Sequence, residues 1–142
     1  MREEITDLDF DQIKIGMKKK FTVTITESLI KKFADLTGDF NPLHMDEKYA
    51  KSTKFENRVC HGMLLGSLFS RLVGMEIPGK NALYFSQSLN FKAPCFIGEE
   101  ITVQGEIIDK SLSTKMIKIK TEIHNKEDKC LVEGLAKVIL RQ

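Results

Sequence analysis

One stretch of the chain, Gly62–Met75, constrains the fold more than any other, because it is apolar on nearly every side of a helix. Its sequence is GMLLGSLFSRLVGM, in which Arg71 is the charged exception. A helix that is apolar all round is buried inside a domain rather than lying on its surface. Interrupted by Arg71, the stretch also falls short of the roughly 20 apolar residues that a membrane-spanning helix needs. The sequence therefore predicts a long helix in the centre of a domain.

Most of the segments that could surround this helix are strands that follow it in the chain. An earlier strand is predicted at Phe21–Thr26, which alternates and is rich in β-branched residues. The four later strands are predicted at Ala82–Phe91, Ile101–Asp109, Lys115–Asn125 and Cys130–Leu140. Apolar residues share one face in the first and third of these: Leu83, Phe85, Leu89 and Phe91, then Ile117, Ile119 and Ile123. Such alternation is typical of an antiparallel sheet with one solvated face. We therefore predict an α+β domain whose antiparallel sheet curls around the central helix.

A shorter helix is expected between the first strand and the central helix. Apolar residues recur there at helical spacing: Leu29, Ile30, Phe33, Ala34 and Leu36. Thr26 or Ser28 is available as the N-cap of this helix, and Gly38 as its C-terminal stop. Because Pro42 lacks an N–H group, the segment 39–46 cannot continue the helix and is predicted as a loop.

Length, charge and cysteine content limit the number of domains and the kinds of partner. A chain of 142 residues without a linker or repeat suits one domain, so residues 1–142 are taken as a single unit. Lys and Arg total 22 against 20 Asp and Glu, which gives no field that would attract nucleic acid or an anionic membrane. The three cysteines, Cys60, Cys95 and Cys130, are odd in number and far apart, which argues against a disulfide framework. Because the N-terminus also lacks the apolar run of a signal peptide, we expect a soluble protein of the reducing cytoplasm.

Asp39 and His44, in the segment DFNPLH, are the candidate catalytic pair. A carboxylate and an imidazole are the side chains most easily tuned to exchange protons near neutral pH. On a helix, a spacing of five residues would separate them by about 140° around the axis. In a loop that turns at Asn41-Pro42, both can point into one cavity. Each residue alone has a structural explanation, such as an Asx-turn at Asp39, but the combination D-x-N-P-x-H favours a site.

A second candidate is Gly62, at the point where the segment VCHG leads into the central helix. A glycine at a helix N-terminus offers free N–H groups, a partial positive charge and no side chain that would block a ligand. These are the features that stabilise a developing oxyanion. A glycine needed only for the turn is the structural alternative.

The segments DFNPLH, VCHGML and SLNFKAP together resemble the MaoC-type (R)-specific enoyl-CoA hydratases of the hotdog fold. Within that family the resemblance is to the short bacterial enzymes that feed polyhydroxyalkanoate synthesis, and it extends from about Gly16 to the C-terminus. Its core motif is G-D-x-N-P-x-H, followed 17 residues after the histidine by H-G-M. The implied fold is a single hotdog unit, an antiparallel sheet wrapped around a long central helix, in agreement with the pattern described above.

The resemblance implies catalytic roles for Asp39 and His44 and an oxyanion-hole role for the Gly62 amide. It also implies that Asn41 shapes the loop and that Ser70 lies near the active site, among the substrate-binding residues. The implied reaction is the reversible hydration of trans-2-enoyl-CoA to (R)-3-hydroxyacyl-CoA, with short chains such as crotonyl-CoA as the expected substrates. The family uses no metal, no other cofactor is expected, and its members work as homodimers with the acyl-CoA tunnel near the subunit interface. The sequence leaves open which of Asp39 and His44 is the base and which the acid.

Three other functions stay open at this stage. Acyl-CoA thioesterases of the hotdog fold usually place an acidic residue on or beside the central helix, and Met63–Met75 contains none. A (3R)-hydroxyacyl-ACP dehydratase would use the same site, because CoA and acyl carrier protein present the same phosphopantetheine arm. A non-catalytic acyl-CoA-binding subunit would be favoured by the loss of Asp39 or His44, and both are present.

Overall fold

The expected α+β architecture is confirmed by a computed structural model, which describes residues 4–141; residues 1–3 and 142 of the expected domain lie outside the described part. The first five elements are β1 at Lys18–Thr24, α1 at Glu27–Thr37, α2 at Pro42–Met45, α3 at Glu47–Lys51 and α4 at Gly62–Arg71. The remaining strands are β2 at Ala82–Gln87, β3 at Asn90–Phe91, β4 at Glu100–Ser111, β5 at Met116–Asn125 and β6 at Cys130–Leu140. Helices thus come mainly before strands in the chain, and α4 is the central helix.

The strands form one antiparallel sheet in the order β1-β4-β5-β6-β2, and β3 also pairs with β6. The predicted inner face of β5 is confirmed, since Ile117, Ile119 and Ile123 are fully buried. On β4, Gly105 leaves room for the chain that follows α4. A Cβ atom at Gly105 would lie 3.0 Å from Cδ2 of Leu72. The missing side chain therefore lets the end of the central helix lie close against the sheet.

Helix α1 ends where the sequence predicts, and its cap explains where β1 stops. The hydroxyl of Thr26 accepts a hydrogen bond from the Leu29 N–H at 3.2 Å, so Thr26 rather than Ser28 is the N-cap. Thr26 therefore belongs to the helix cap and not to the strand that was predicted through it. At the other end Gly38 has a φ of 82°, and its N–H donates to the Ala34 carbonyl at 2.8 Å. This left-handed backbone conformation favours glycine.

The central helix differs from the predicted one in length and in exposure. Helix α4 ends at Arg71, and the next residues, Leu72–Glu76, form a π-helical turn. Its inner side is buried, as expected, by Leu64, Leu65 and Phe69. On its outer side Met63 is 56% exposed, and Ser67 and Ser70 are also exposed. The prediction of a helix buried on all sides is wrong for the single chain, because the sheet covers one side of the helix.

No helix within residues 4–141 is long and apolar enough to cross a lipid bilayer.

The strand predicted at Ala82–Phe91 is divided in two. The register with β6 shifts between Tyr84 and Ser86, which breaks the predicted alternation of faces. Leu89 packs against the core. The other apolar residues predicted for that face are exposed: Leu83 at 53%, Phe85 at 63% and Phe91 at 52%. Within the described part of the chain, the outer edge of β2 has no partner strand.

Candidate active site

The segment that carries Asp39 holds its shape through hydrogen bonds between near neighbours. The Asp39 carboxylate accepts from the Asn41 N–H at 3.1 Å, and the Asn41 side chain accepts from the Leu43 N–H at 3.0 Å. Asn41 is thereby the N-cap of α2, and Pro42 occupies the first turn, where its missing N–H costs nothing. The predicted loop is therefore wrong over Pro42–Met45, where a short helix forms. The expectation that Asn41 shapes this segment agrees with its capping contact.

His44 lies in this short helix and points its ring toward the chain that precedes α4. Its Nδ1 atom lies 2.6 Å from the backbone carbonyl oxygen of Val59. Because a carbonyl oxygen can accept but not donate, Nδ1 carries the proton. In the neutral ring, Nε2 is then the unprotonated nitrogen and can accept a proton. The hydrogen bond thus fixes both the orientation and the tautomer of His44.

The structure adds His61, a residue to which the sequence had assigned no role. His61 is 1% exposed, and its Nε2 atom lies 3.0 Å from the backbone carbonyl oxygen of Asp39. Its ring stacks on the ring of His44, with centroids 4.1 Å apart and planes inclined by 29°. The signal in the sequence was the position of His61 directly before Gly62, within the segment VCHG.

These contacts bring the predicted catalytic pair together. Side-chain oxygen or nitrogen atoms of Asp39, His44 and His61 all lie within 4.8 Å of one another. Asp39 is exposed and His44 is partly buried, whereas His61 lies behind them. One water molecule or one small polar group of a ligand could contact Asp39 and His44 at the same time. The arrangement is suited to proton transfer at a single position.

Gly62 opens helix α4 directly beside this cluster. No side chain caps this end of the helix, and the first N–H groups of any helix have no intrahelical acceptor. A Cβ atom on Gly62 would lie 2.9 Å from Cδ1 and Cε1 of Phe91. A glycine is therefore needed here for close packing as well as for an open amide. The packing gives Gly62 a structural reason, and its oxyanion role stays a prediction.

An apolar groove of about 460 Å³ begins at His44 and Gly62. Its walls come from α4, from the segment before α4, and from β3 and the chain after it: Phe55, Val59, Cys60, Met63, Leu65, Phe91, Lys92, Ala93, Pro94, Cys95 and Val132. Asp39 faces a neighbouring cavity of about 430 Å³, which shares Met63 as a wall. A third concavity of about 540 Å³ lies on charged strands β1, β4 and β5 and includes none of the candidate site residues.

Ser70 is not brought together with the other candidate residues. It lies eight residues after Gly62 on the same helix, which is about 12 Å along the axis at the usual helical rise. Its side chain is on the exposed side of α4, and it lines neither of the two cavities next to Asp39 and His44. Its expected place among the substrate-binding residues gains no support from the single chain.

Among residues 4–141, two clusters of side chains have the composition of a metal site. One is the group Asp39, His44 and His61. In this group, Nε2 of His61 already donates a hydrogen bond to the backbone carbonyl oxygen of Asp39. The other group lies at the end of the β5–β6 hairpin: Glu122, His124 and Cys130.

Two buried cysteines form part of the groove wall. Cys60 and Cys95 are 2% and 1% exposed, and the Cys60 N–H donates to the Cys95 carbonyl at 2.7 Å. A hydrogen bond with Cys60, together with burial, raises the pKa of the Cys95 thiol far above its usual range. A thiol that stays protonated is a poor nucleophile. Cys95 therefore serves packing rather than covalent catalysis.

The chain is similar to known proteins over nearly its whole length. Residues 10–129 match the family described as MaoC like domain. The (R)-specific enoyl-CoA hydratase of Aeromonas caviae is 41% identical over 114 residues, which cover 78% of this chain and 85% of that protein. The protein of the same name from Rhodospirillum rubrum is 37% identical over 131 residues, covering 92% and 90%.

A solved structure shows the same fold. The R-hydratase PhaJ1 of Pseudomonas aeruginosa, in its unliganded form, has a TM-score of 0.93 to this chain at 30% identity. The match covers 99% of this chain and 90% of that one. The expected hotdog fold is therefore confirmed.

Proposed function

The chain belongs to the family of MaoC-like domains, and from this membership we propose that it is a hydro-lyase that reversibly hydrates trans-2-enoyl-CoA to (R)-3-hydroxyacyl-CoA. The observation that carries the proposal is the meeting of Asp39 and His44, whose side-chain polar atoms lie within 4.8 Å, beside an apolar groove that starts at Gly62. The groove suits an acyl chain, and short chains such as crotonyl-CoA are the first substrates to test.

The reaction needs three kinds of group. In a trans-2-enoyl thioester, water adds its oxygen to Cβ while electrons move toward the thioester oxygen, and Cα then receives a proton. The enzyme must therefore take a proton from water, give one to Cα and stabilise the negative oxygen. No oxidant or reductant is required, since one water molecule supplies all the atoms that are added.

Asp39 and His44 are assigned the two proton transfers. With Nδ1 bonded to the Val59 carbonyl, neutral His44 presents a lone pair at Nε2, and protonated His44 presents an N–H at the same atom. The same nitrogen can therefore accept a proton from water or donate one to Cα. The Asp39 carboxylate, exposed beside it, can hold the water or take the other proton role. Which residue is base and which is acid stays open.

The backbone amide of Gly62 is assigned to the thioester oxygen. It lies at the first residue of α4, where the helix dipole and the free N–H favour negative charge. Asn41 is assigned a supporting role, because its side chain caps α2 and thereby fixes where the short helix that carries His44 begins.

The active form is proposed to be a homodimer that pairs through β2. An unpaired edge strand with exposed apolar side chains favours association with a second strand. On β2, Leu83 is 53% and Phe85 is 63% exposed. Nearby on the groove, Met63 and Phe91 are 56% and 52% exposed. A second copy at this edge would cover the exposed side chains of Leu83 and Phe85.

A cytoplasmic location and a role in polyhydroxyalkanoate precursor supply belong to the same proposal. The three cysteines are free thiols, and two of them are buried, which suits a reducing compartment. The likeness to (R)-specific hydratases supports supply of (R)-3-hydroxyacyl-CoA to whichever reaction consumes it.

The test is hydration by purified protein of crotonyl-CoA and of longer trans-2-enoyl-CoAs. Loss of the enoyl-thioester absorbance and an (R)-3-hydroxyacyl product are expected. An (S) product, or no hydration at any chain length, would contradict the proposal. Release of free CoA from butyryl-CoA would instead identify a thioesterase, and a strong preference for crotonyl-ACP would identify a carrier-protein dehydratase. Binding of these thioesters without turnover would identify a non-catalytic subunit.

A further inference from the structure

The side chain of His61 does not perform the capping role that its position at the start of α4 would allow. His61 is the N-cap residue of α4, yet its side chain makes no capping hydrogen bond. The ring is instead turned into the protein and is 1% exposed. Burial of a polar ring costs free energy unless its polar atoms are bonded.

The ring of His61 contacts two other rings and one carbonyl group. The ring of Phe33 in α1 lies with its centroid 4.9 Å away and its plane inclined by 58°. The ring of His44 in α2 stacks on it with centroids 4.1 Å apart. In the ring plane, Nε2 lies 3.0 Å from the Asp39 carbonyl oxygen. His61 therefore contacts the backbone of one catalytic candidate and the side chain of the other.

The hydrogen bond determines the protonation of this ring. Since the Asp39 carbonyl can only accept, Nε2 of His61 carries the proton. The other nitrogen, Nδ1, is buried and has no hydrogen-bond partner within residues 4–141. A proton on Nδ1 would therefore be a buried N–H without an acceptor.

We propose that His61 is a positioning residue, which holds Asp39, His44 and the adjacent Gly62 amide in one fixed arrangement through its hydrogen bond to the Asp39 carbonyl and its stack on His44. The inference rests on the proposed hydratase function. It goes beyond that function because it gives a role to a residue that does not itself face the groove.

The consequence for the reaction follows from how sharply rates depend on geometry. A displacement of about 1 Å in a reacting group can lower a rate by about 10²-fold. His61 directly precedes Gly62 in the chain, donates a hydrogen bond to the Asp39 carbonyl and stacks on the ring of His44. A buried apolar side chain of similar size could fill the space and keep the stack, but it could not donate to the Asp39 carbonyl. Compared with such an apolar side chain, the imidazole of His61 adds the hydrogen-bond donor to the Asp39 carbonyl.

Two variants separate the stack from the hydrogen bond. His61→Phe keeps a flat ring under His44 and loses the donor, whereas His61→Gln keeps a donor and loses the ring. We expect kcat for crotonyl-CoA to fall about 10²-fold in His61→Phe and about tenfold in His61→Gln, with KM within about threefold of wild type in both. Circular dichroism and thermal melting check that each variant is folded.

Each outcome either supports or overturns the positioning role of His61. Wild-type kcat in folded His61→Phe would overturn the proposal, and so would a defect that appears in KM alone. If His61→Phe does not fold, His61→Gln decides: a kcat at least threefold below wild type with unchanged KM supports the role, and wild-type kcat overturns it. The wild-type rate itself tests the hydratase function, so the two failures are distinguishable.

A measurement without substrate tests the same geometry. The chain has three histidines, so nitrogen-15 spectra of the labelled protein at pH 8 can be assigned with His44→Gln and His124→Gln variants. We expect the neutral His61 ring to carry its proton at Nε2. A proton at Nδ1 would contradict the hydrogen bond to Asp39 and overturn the proposal even if the protein is active.

Discussion

Arg58 donates a hydrogen bond from Nε to the backbone carbonyl of His44 at 2.6 Å. The same side chain contacts both carboxylate oxygens of Glu27 through one terminal nitrogen, at 2.9 and 2.8 Å. Arg58 is therefore a link between the start of α1 and the short helix that carries His44. The Arg58 side chain is 13% exposed and Glu27 is 64% exposed, so the link is buried at its His44 end and solvated at its Glu27 end.

This link predicts a catalytic effect of a conservative change at Arg58. Arg58→Lys removes the planar fork and the Nε donor, so His44 loses the bond to its carbonyl. We expect kcat to fall about tenfold and the free energy of unfolding to drop by about 1–3 kcal/mol. Glu27→Gln is the matched control, because it removes only the ion pair of a largely exposed carboxylate and should leave kcat near wild type. Equal effects of the two variants would contradict the link through His44.

The two proposed catalytic residues should each be essential for turnover and dispensable for folding. Asp39→Asn keeps the size and the acceptor oxygen that bonds the Asn41 N–H, and His44→Ala removes the ring. Since each proton transfer contributes about 10²–10⁴-fold, we expect both to lower kcat by at least 10²-fold. Thermal melting should show a folded protein in each case. Near-normal turnover of crotonyl-CoA by either variant would end the catalytic assignment.

Gly62 and Gly66 allow a matched test of the oxyanion position. A Cβ atom would lie 2.9 Å from the Phe91 ring at Gly62 and 2.9 Å from a Leu89 methyl carbon at Gly66. Both Ala variants meet a neighbouring side chain at this distance, but only Gly62→Ala disturbs the amide assigned to the thioester oxygen. We expect about a tenfold or greater loss of kcat in Gly62→Ala and a smaller one in Gly66→Ala. Stopped assays at saturating substrate check the difference, and the reverse order would refute it.

The proposed dimer should dissociate when charge is placed on the edge strand. Phe85→Lys introduces a charge on β2, and inward or edge lysines prevent strands from pairing. We expect a dimer for wild type and a monomer for Phe85→Lys in light scattering coupled to gel filtration. Leu112→Lys is the control, because Leu112 is 69% exposed but lies in the β4–β5 turn. A monomeric wild type would contradict the dimer directly.

Tyr84 should affect stability at high pH. Burial raises the pKa of its phenol to about 12, and its hydroxyl donates to the Gln87 side chain at 2.6 Å. The usual pKa of tyrosine is about 10. Between these values the unfolded chain has lost the proton and the folded one retains it, so the free energy of unfolding falls as pH rises. Stability should be full below pH 10 and decline toward pH 12.

Two variants check this pH dependence. In Tyr49→Phe, Tyr84 is the remaining tyrosine, and its phenolate absorbance should appear near pH 12. In Tyr84→Phe, the decline of stability between pH 10 and 12 should be smaller than in wild type. A pKa of about 10 for Tyr84, the usual value for tyrosine, would contradict the prediction and show that the phenol is solvated.

The sequence predicted most of the sheet, because strand alternation there depends on burial of one face. The isoleucines of β5 are all inside, and Thr26 and Gly38 cap α1 as their side-chain and backbone preferences require. The failures have local causes. Leu83 lies on the outward face of β2 and a register shift follows between Tyr84 and Ser86, while a side-chain cap from Asn41 turned an expected loop into a short helix. Neither pairing irregularities nor four-residue helices leave a periodic signal.

The proximity of the candidate residues was predictable from the sequence, but the contacts that surround them were not. Asp39, His44 and Gly62 belong to motifs that the sequence displays, and the structure brings them together. His61 and Arg58 make contacts that join residues 22 and 14 positions apart in the chain. Such contacts depend on the whole fold and cannot be deduced from spacing. The exposed outer side of α4 was missed for the same reason, since periodicity does not show how much of a helix the sheet covers.

The origin of the groove walls has a consequence for how such an enzyme can change. The residues proposed for proton transfer and for binding the thioester oxygen all lie between residues 39 and 62, whereas much of the far wall of the groove comes from β3, the chain after it and Val132 of β6. A large part of the groove is thus encoded on a later stretch of the gene than the proposed chemistry. Substitutions in the later stretch can alter which acyl chains are accepted, generation by generation, without altering the reaction performed on them.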